Sequence, residues 1–146
     1  MTQFKPITDT LLASGQIEPG DVERAKAEGV TLIVNNRPDD EESGQPEGRE
    51  IEEAARQAGM DYTAIPVGSA GFSLPQVDAM AAALGNAEGK VLAFCRTGTR
   101  STLLWAMTQA KAGRDLETIA HEAQAAGYDI SPVRPTLEML SQQSGD

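Results

Sequence analysis

The sequence predicts an α/β protein, a three-layer sandwich in which a small, largely parallel sheet is flanked by helices. Three short apolar runs, residues 30–34, 62–67 and 91–94, have the length and composition of buried strands, and each follows a stretch with helical spacing. The chain shows no internal repeat, low-complexity segment or interdomain linker. Alternating helices and strands in one uninterrupted unit are the signature of parallel strands joined by helical crossovers. With 146 residues the chain suits a single domain over 1–146, with frayed termini expected near 1–8 and 141–146.

Residues 11–17 read as a first strand entering a turn at Ser14, Gly15 and Gln16, where backbone can approach backbone closely. Residues 19–28 form a modest helix on Val22 and Ala25, stopped by Gly29. The β-branched run 30–34 reads as a strand buried on both faces. The polar loop that follows leaves the strand's carboxyl end, where ligands bind in open parallel sheets, so Asn36, Arg37 and Asp39 are candidate pocket residues; a plain Pro-Asp turn is the alternative. The acid-rich stretch 40–53 reads as a solvated helix face, with a docking surface for a basic protein partner as its alternative.

Helix 46–58 carries Ile51, Ala54, Ala55 and Ala58 on one stripe and closes at Gly59. Pro66 places the end of strand 62–67 at a sheet terminus or edge. Ser73 and Gln76 form a capping box that opens a helix bearing Val77, Met80 and Leu84. After strand 91–94, helix 101–112 uses Leu103, Leu104, Met107 and Ala110, with Trp105 off that stripe as a packing residue. Helix 115–126 follows on Leu116, Ile119, Ala120 and Ala123, and Pro135 opens a last helix with Leu137 and Leu140. His121, the single histidine, falls beside its helix's stripe and is not expected to do chemistry.

The chemistry concentrates in residues 94–101, Phe-Cys-Arg-Thr-Gly-Thr-Arg-Ser, which hold the only cysteine at the turn from a buried strand into a helix. Helix N-termini have unpaired amides and the positive end of the dipole, and a short Gly/Thr loop adds amides to the same concavity, so anions bind there. The position favours the thiolate form of Cys95. Arg96 and Arg100 supply guanidiniums that hold a tetrahedral oxyanion through paired hydrogen bonds, with Thr97, Gly98, Thr99 and Ser101 as further substrate-binding positions. A nucleophilic cysteine beside an oxyanion cradle is the functional reading; a small buried hydrophobe is the alternative.

Composition narrows the partners. A formal net charge of −10 disfavours nucleic acid and anionic membranes outside the local positive pocket. One cysteine precludes an internal disulfide, and one histidine leaves no zinc site of nitrogen and sulfur ligands, so neither a metal nor a cofactor is expected. The first residues lack the charged-then-apolar pattern of a signal peptide and no apolar run has membrane-spanning length, so a cytoplasmic location is expected.

A cysteine at the strand-to-helix turn, followed by a glycine and an arginine before Ser101, resembles the active-site loops of cysteine-dependent phosphatases and of rhodaneses. The chain as a whole resembles a small bacterial family related to the phosphatase-like part of the beta-lactamase hydrolase-like protein, also known as phosphatase-like sulfurtransferases. The matching stretches are 14–16, 34–39, 65–69 and, most specifically, 95–101, which together span roughly residues 10–140. The resemblance implies a dual-specificity-phosphatase-like fold, a protein tyrosine phosphatase-like hydrolase or transferase chemistry, Cys95 as nucleophile and Arg100 as the anion-binding arginine.

Two departures bear on the substrate. Phosphatases of this type place five residues between cysteine and arginine and usually a histidine before the cysteine; here four residues separate Cys95 from Arg100 and Phe94 precedes the cysteine. A six-residue loop is the rhodanese length. The stretch 68–73, where such phosphatases carry a general-acid aspartate, has no acid, although Asp39 or Asp40 could serve from the neighbouring loop. Expelling an alkoxide gains about 10² to 10⁴ from a general acid, whereas sulfite leaving thiosulfate needs no proton. The expected activity is therefore a sulfurtransferase that moves sulfane sulfur from a small anionic donor to a thiol acceptor through a Cys95 persulfide. A phosphatase working through a Cys95 phosphocysteine is the alternative, and a non-catalytic oxyanion-binding module is the third reading.

Overall fold

A computed structural model describes residues 2–144. Five strands form one sheet in the order β1-β2-β5-β3-β4: β1 is Lys5–Pro6, β2 Leu11–Ser14, β3 Val30–Asn35, β4 Asp61–Ala64 and β5 Lys90–Phe94. The pairings β2–β5, β5–β3 and β3–β4 are parallel, and only β1 runs antiparallel, against β2. Six helices connect and follow them: α1 Asp21–Ala27, α2 Gly48–Gln57, α3 Leu74–Asn86, α4 Thr99–Lys111, α5 Leu116–Ala125 and α6 Arg134–Ser144, with a short 3-10 turn, Ser131–Val133, before α6.

Side chains alternate across the pleat and so divide the interior in two. Leu11, Ala13, Leu32, Val34, Val91 and Ala93 face a core shared with α3, α4, α5 and α6. Leu12, Ile33, Leu92 and Phe94 face a second core closed by α1 and α2 through Val22, Ala25, Ile51 and Ala55. The three-layer α/β sandwich is thus present, with both faces of β2, β3 and β5 covered. β4, expected as a buried strand over 62–67, is instead a short edge strand over Asp61–Ala64 with Asp61 and Ala64 exposed, because among the described residues no further strand pairs beyond it. Helix α4 lies in the middle of its layer and is buried continuously from Ser101 to Thr108, which explains why its sequence is apolar on more than one stripe. Trp105 packs within that core. Ser73 and Gln76 close the expected capping box at the start of α3: the Ser73 amide donates to Gln76 Oε1 at 2.8 Å.

The ends differ from expectation. Of the stretch 1–8 expected to fray, residue 1 lies outside the described part, and the described residues hold β1, where Lys5 pairs with Ala13 and Pro6 with Leu12, and a buried Ile7. The reason is that β2 would otherwise expose a hydrogen-bonding edge, and a two-residue strand bearing a proline covers it without offering a new one. At the other end the helix runs through Ser144, anchored by fully buried Leu137 and Leu140; residues 145 and 146 lie outside the described part.

The register positions the site. Ser14 pairs with Phe94, Phe94 with Asn35, and Asn35 with Ala64, so the carboxyl ends of four parallel strands form one row. Gly15, Cys95, Asn36 and Ile65 stand one residue beyond it. Motifs separated by as many as eighty residues in the sequence, Ser14 and Phe94 among them, are thereby brought to one edge of the sheet, the edge where parallel α/β sheets bind ligands.

Candidate active site

Cys95 follows the last residue of β5 and is 1% exposed. Its amide donates to Ser14 O at 3.3 Å, which ties it to β2. The Gly98 amide donates to Cys95 Sγ at 3.1 Å, so the loop aims a backbone dipole at the sulfur. That amide points inward because Gly98 adopts φ 92°, and the close packing around it leaves no room for a side chain: a Cβ would lie 2.1 Å from the Tyr128 hydroxyl. Tyr128 in turn donates to Thr97 O at 3.1 Å and is 7% exposed. On the opposite side Gly15 lets β2 approach the loop, and the Gln16 amide donates to Arg96 O at 3.2 Å.

Arg100, in the first turn of α4, reaches back over the loop. Its Nη1 donates to Val67 O at 2.6 Å and to Glu41 Oε2 at 2.6 Å, and Nη2 donates to Glu41 Oε1 at 2.8 Å. Arg37 is 4% exposed; its Nε donates to Glu41 Oε1 at 2.9 Å, Nη1 to Gln16 Oε1 at 3.1 Å and Nη2 to Glu42 Oε2 at 3.2 Å. Arg96 is exposed and lies 3.9 Å from Glu42. Arg37, Glu41, Glu42, Arg96 and Arg100 line a cavity of about 360 Å³. The Arg100 hydrogen bonds, reinforced by Arg37, hold the Glu41 carboxyl down to about 2 against the cost of partial burial. Arg100 is held above its ordinary value, first by Glu41 and further by the nearby Cys95. A larger hollow of about 760 Å³, beside Lys90, Trp105 and Glu122, opens at the opposite end of the sheet and shares no residue with this one.

Of the residues singled out from the sequence, Cys95, Arg96, Gly98, Arg100 and Arg37 converge here, and Thr97 and Thr99 stand exposed on the loop with their hydroxyls 3.0 Å apart. Arg37, Arg96 and Arg100 line the cavity itself, whereas Cys95 and Gly98 are buried and are not among its lining residues, and three further residues are engaged elsewhere. Ser101 is 1% exposed and its hydroxyl donates to Asn36 Oδ1 at 2.8 Å, while Asn36 Nδ2 donates to Ile65 O at 2.9 Å. These two side chains therefore bolt α4 to the ends of β3 and β4 instead of contacting a ligand, because a buried amide must satisfy both its donor and its acceptor. Asp39 is spent on the Gly48 amide at the start of α2, 2.8 Å away, and faces a separate hollow beside Tyr62. Asp40 sits at the exposed turn of the same loop, at φ 62°.

Glu41, Glu42 and Tyr128 belong to the site without having been expected there. The spacing of Arg37 and Glu41, four residues apart, was the available signal for the first. Within an acid-rich run it is indistinguishable from solvated charge. His121 is exposed on α5.

A family model described as the beta-lactamase hydrolase-like protein, phosphatase-like domain, matches residues 3–112. The chain belongs to this family. It is 35% identical over 136 residues to the beta-lactamase hydrolase-like protein of Agrobacterium fabrum, covering 92% of this chain and 32% of that one. To the Xylella fastidiosa 9a5c protein of the same name it is 32% identical over 142 residues, covering 94% and 32%. The chain thus spans about a third of the length of the curated relatives it matches. Among solved structures it is similar to nma1982 of Neisseria meningitidis Z2491, assigned as a phosphatase, with 34% identity, TM-score 0.82 and coverage of 93% and 96%. PTPMT1 shares the fold at TM-score 0.68 and 14% identity, covering 98% of this chain and 99% of its own. The phosphatase-like family and its structural neighbours support a cysteine-based, phosphatase-like chemistry for this domain, with a small anionic substrate. Among the described residues no helix is long and apolar enough to cross a membrane.

Proposed function

We propose that this domain is a sulfurtransferase that carries sulfane sulfur on Cys95. The Cys95 thiolate attacks the outer sulfur of a donor such as thiosulfate. The donor's S–S bond breaks, its electron pair leaves on sulfite, and a persulfide forms on Cys95. An acceptor thiolate, or cyanide, then attacks the outer sulfur of the persulfide, and the electron pair of that bond returns to Cys95. Arg100, fixed by Val67 O, holds the departing oxyanion, the Gly98 amide stabilises the sulfur anion before and after transfer, and Arg96 supplies charge at the rim.

The observation that carries this reading is the state of the carboxyl nearest the arginine fork. Glu41 is clamped by Arg100 and Arg37, which hold its carboxyl down to about 2, so it meets an incoming anion ionised, and once displaced it is an ordinary carboxylate, still ionised at neutral pH. Asp39 is engaged by the Gly48 amide, and residues 68–73 contain no acid. Sulfite departs without a proton, and an alkoxide does not.

A phosphatase reading remains the second, favoured by the family description and by the 34% identity to the Neisseria meningitidis protein assigned as a phosphatase. There the thiolate attacks phosphorus, the alkoxide leaves with a proton, and water hydrolyses the phosphocysteine. Wild type and Cys95→Ser, assayed with thiosulfate plus cyanide and with an aryl phosphate, separate the two. Thiocyanate formation together with one added sulfur on Cys95 by mass, both lost in Cys95→Ser, is the expected result. Phosphate release without sulfur transfer would overturn it. Unchanged anion binding in Cys95→Ser, with neither activity in wild type, would instead indicate an oxyanion-binding module.

A further inference from the structure

The anion seat of this site is occupied, and its occupant belongs to the chain. Glu41 presents both carboxylate oxygens to Nη1 and Nη2 of Arg100 at 2.6 and 2.8 Å, the parallel two-bond arrangement by which a guanidinium holds an oxyanion. Arg37 Nε fastens the same carboxylate at 2.9 Å, and Glu42 beside it engages Arg37 and, more distantly, Arg96. Each of the three guanidiniums lining the cavity is thus met by a carboxylate from one loop.

The geometry points to Glu41 as a specificity determinant: a tethered carboxylate that occupies the oxyanion seat of Arg100, yields it to tetrahedral dianions and withholds it from monoanions. The inference rests on Arg100 being the anion-binding arginine of the proposed function and holds whether sulfur or phosphorus is transferred.

Competition between tethered and free anions supplies the reason. A group on a short tether is present at an effective concentration on the order of millimolar or above. A free carboxylate gains the same two bonds that Glu41 already makes, so it must exceed that concentration to enter. A tetrahedral dianion brings a second charge to a cavity with three guanidiniums, and spare oxygens for the amides at the N-terminus of α4. Arg37 and Arg100 keep Glu41 at about 2, so the occupant is ionised throughout the physiological range.

The loop that carries Glu41 lies at the surface. Residues 41–44 are exposed and lie between β3 and α2, with left-handed turns at Asp40, φ 62°, and Gly44, φ 83°. Arg100 stays in place when Glu41 leaves, because Val67 O holds Nη1 independently.

Amide NMR titrations over residues 95–101, with sodium sulfate and separately with sodium acetate, test this on wild type, Glu41→Gln, Arg100→Gln and Glu52→Gln. Glu52 makes an equivalent charge change at its exposed pair with Arg56 on α2. The sulfate Kd is expected to fall at least about tenfold in Glu41→Gln and to stay at the wild-type value in Glu52→Gln. Saturable acetate binding is expected in Glu41→Gln alone. Sulfate affinity in Glu41→Gln equal to or weaker than wild type, with binding abolished by Arg100→Gln, overturns the screen and leaves the anion site standing. Absence of sulfate binding in every protein overturns both.

Discussion

Replacing Gly98 by alanine tests whether the loop's shape depends on one contact. The residue sits at φ 92°, where a side chain costs about 1–2 kcal/mol. Its new Cβ would also lie 2.1 Å from Tyr128 Oη, 2.9 Å from Tyr128 Cζ and 3.3 Å from the Ser14 carbonyl carbon. Tyr128 is buried and β2 is locked in the sheet, so neither neighbour yields freely, and overpacking of this kind costs about 1–3 kcal/mol. Together these predict a loss of about 2–5 kcal/mol, or roughly 6–16 °C in Tm for a domain of this size.

A double-mutant cycle with Tyr128→Phe, read by thermal and urea denaturation, separates the two costs. Removing Oη relieves the shortest overlap but not the backbone strain, so the double variant should be about 1 kcal/mol more stable than additivity predicts. A Gly98→Ala protein as stable as wild type, or a cycle with no coupling, would refute the account of the loop as held open by Tyr128 against a glycine.

Ser101→Ala should lower stability by about 1–3 kcal/mol, because it leaves the buried Asn36 Oδ1 without its donor; sulfate affinity should change little, since the hydroxyl faces away from the cavity, and NMR titration checks this. Glu41→Gln should flatten the acid limb of the stability curve. The folded-state carboxyl is depressed from 4.5 to about 2, so its contribution is fully present above pH 4.5 and is lost as pH falls toward 2. Screening at a side chain one-quarter exposed reduces that contribution to about 1–2 kcal/mol, so wild type should exceed the variant by this amount at pH 7 and converge with it near pH 2 in urea melts.

Local patterns in this chain translated directly into elements. The run 30–34 became β3 through its β-branched content, and Ser73 with Gln76 capped α3, because each depends on interactions within a few residues. The same holds for the placement of Cys95 and Arg100: a thiol at a strand-to-helix turn and a guanidinium in the first helical turn are set by adjacent sequence. Strand β1 was not legible, since a two-residue edge strand has no periodicity and forms only because β2 offers it an edge.

What the chain alone determined, then, is the layered fold and the thiol-arginine pair at its centre. Only the tertiary structure decided what surrounds that pair. Sheet register across four strands put Ser101 against Asn36 and away from the arginine-lined cavity. The same register drew Arg37 beside Arg100, and let Glu41 leave an otherwise solvated acidic run to occupy the fork. Tyr128, thirty positions beyond the loop, came to shape it by packing from α5's far end. Long-range contacts of this kind depend on which surfaces meet after the sheet has formed, and a charge or hydroxyl read along the chain carries no information about its eventual neighbour across it.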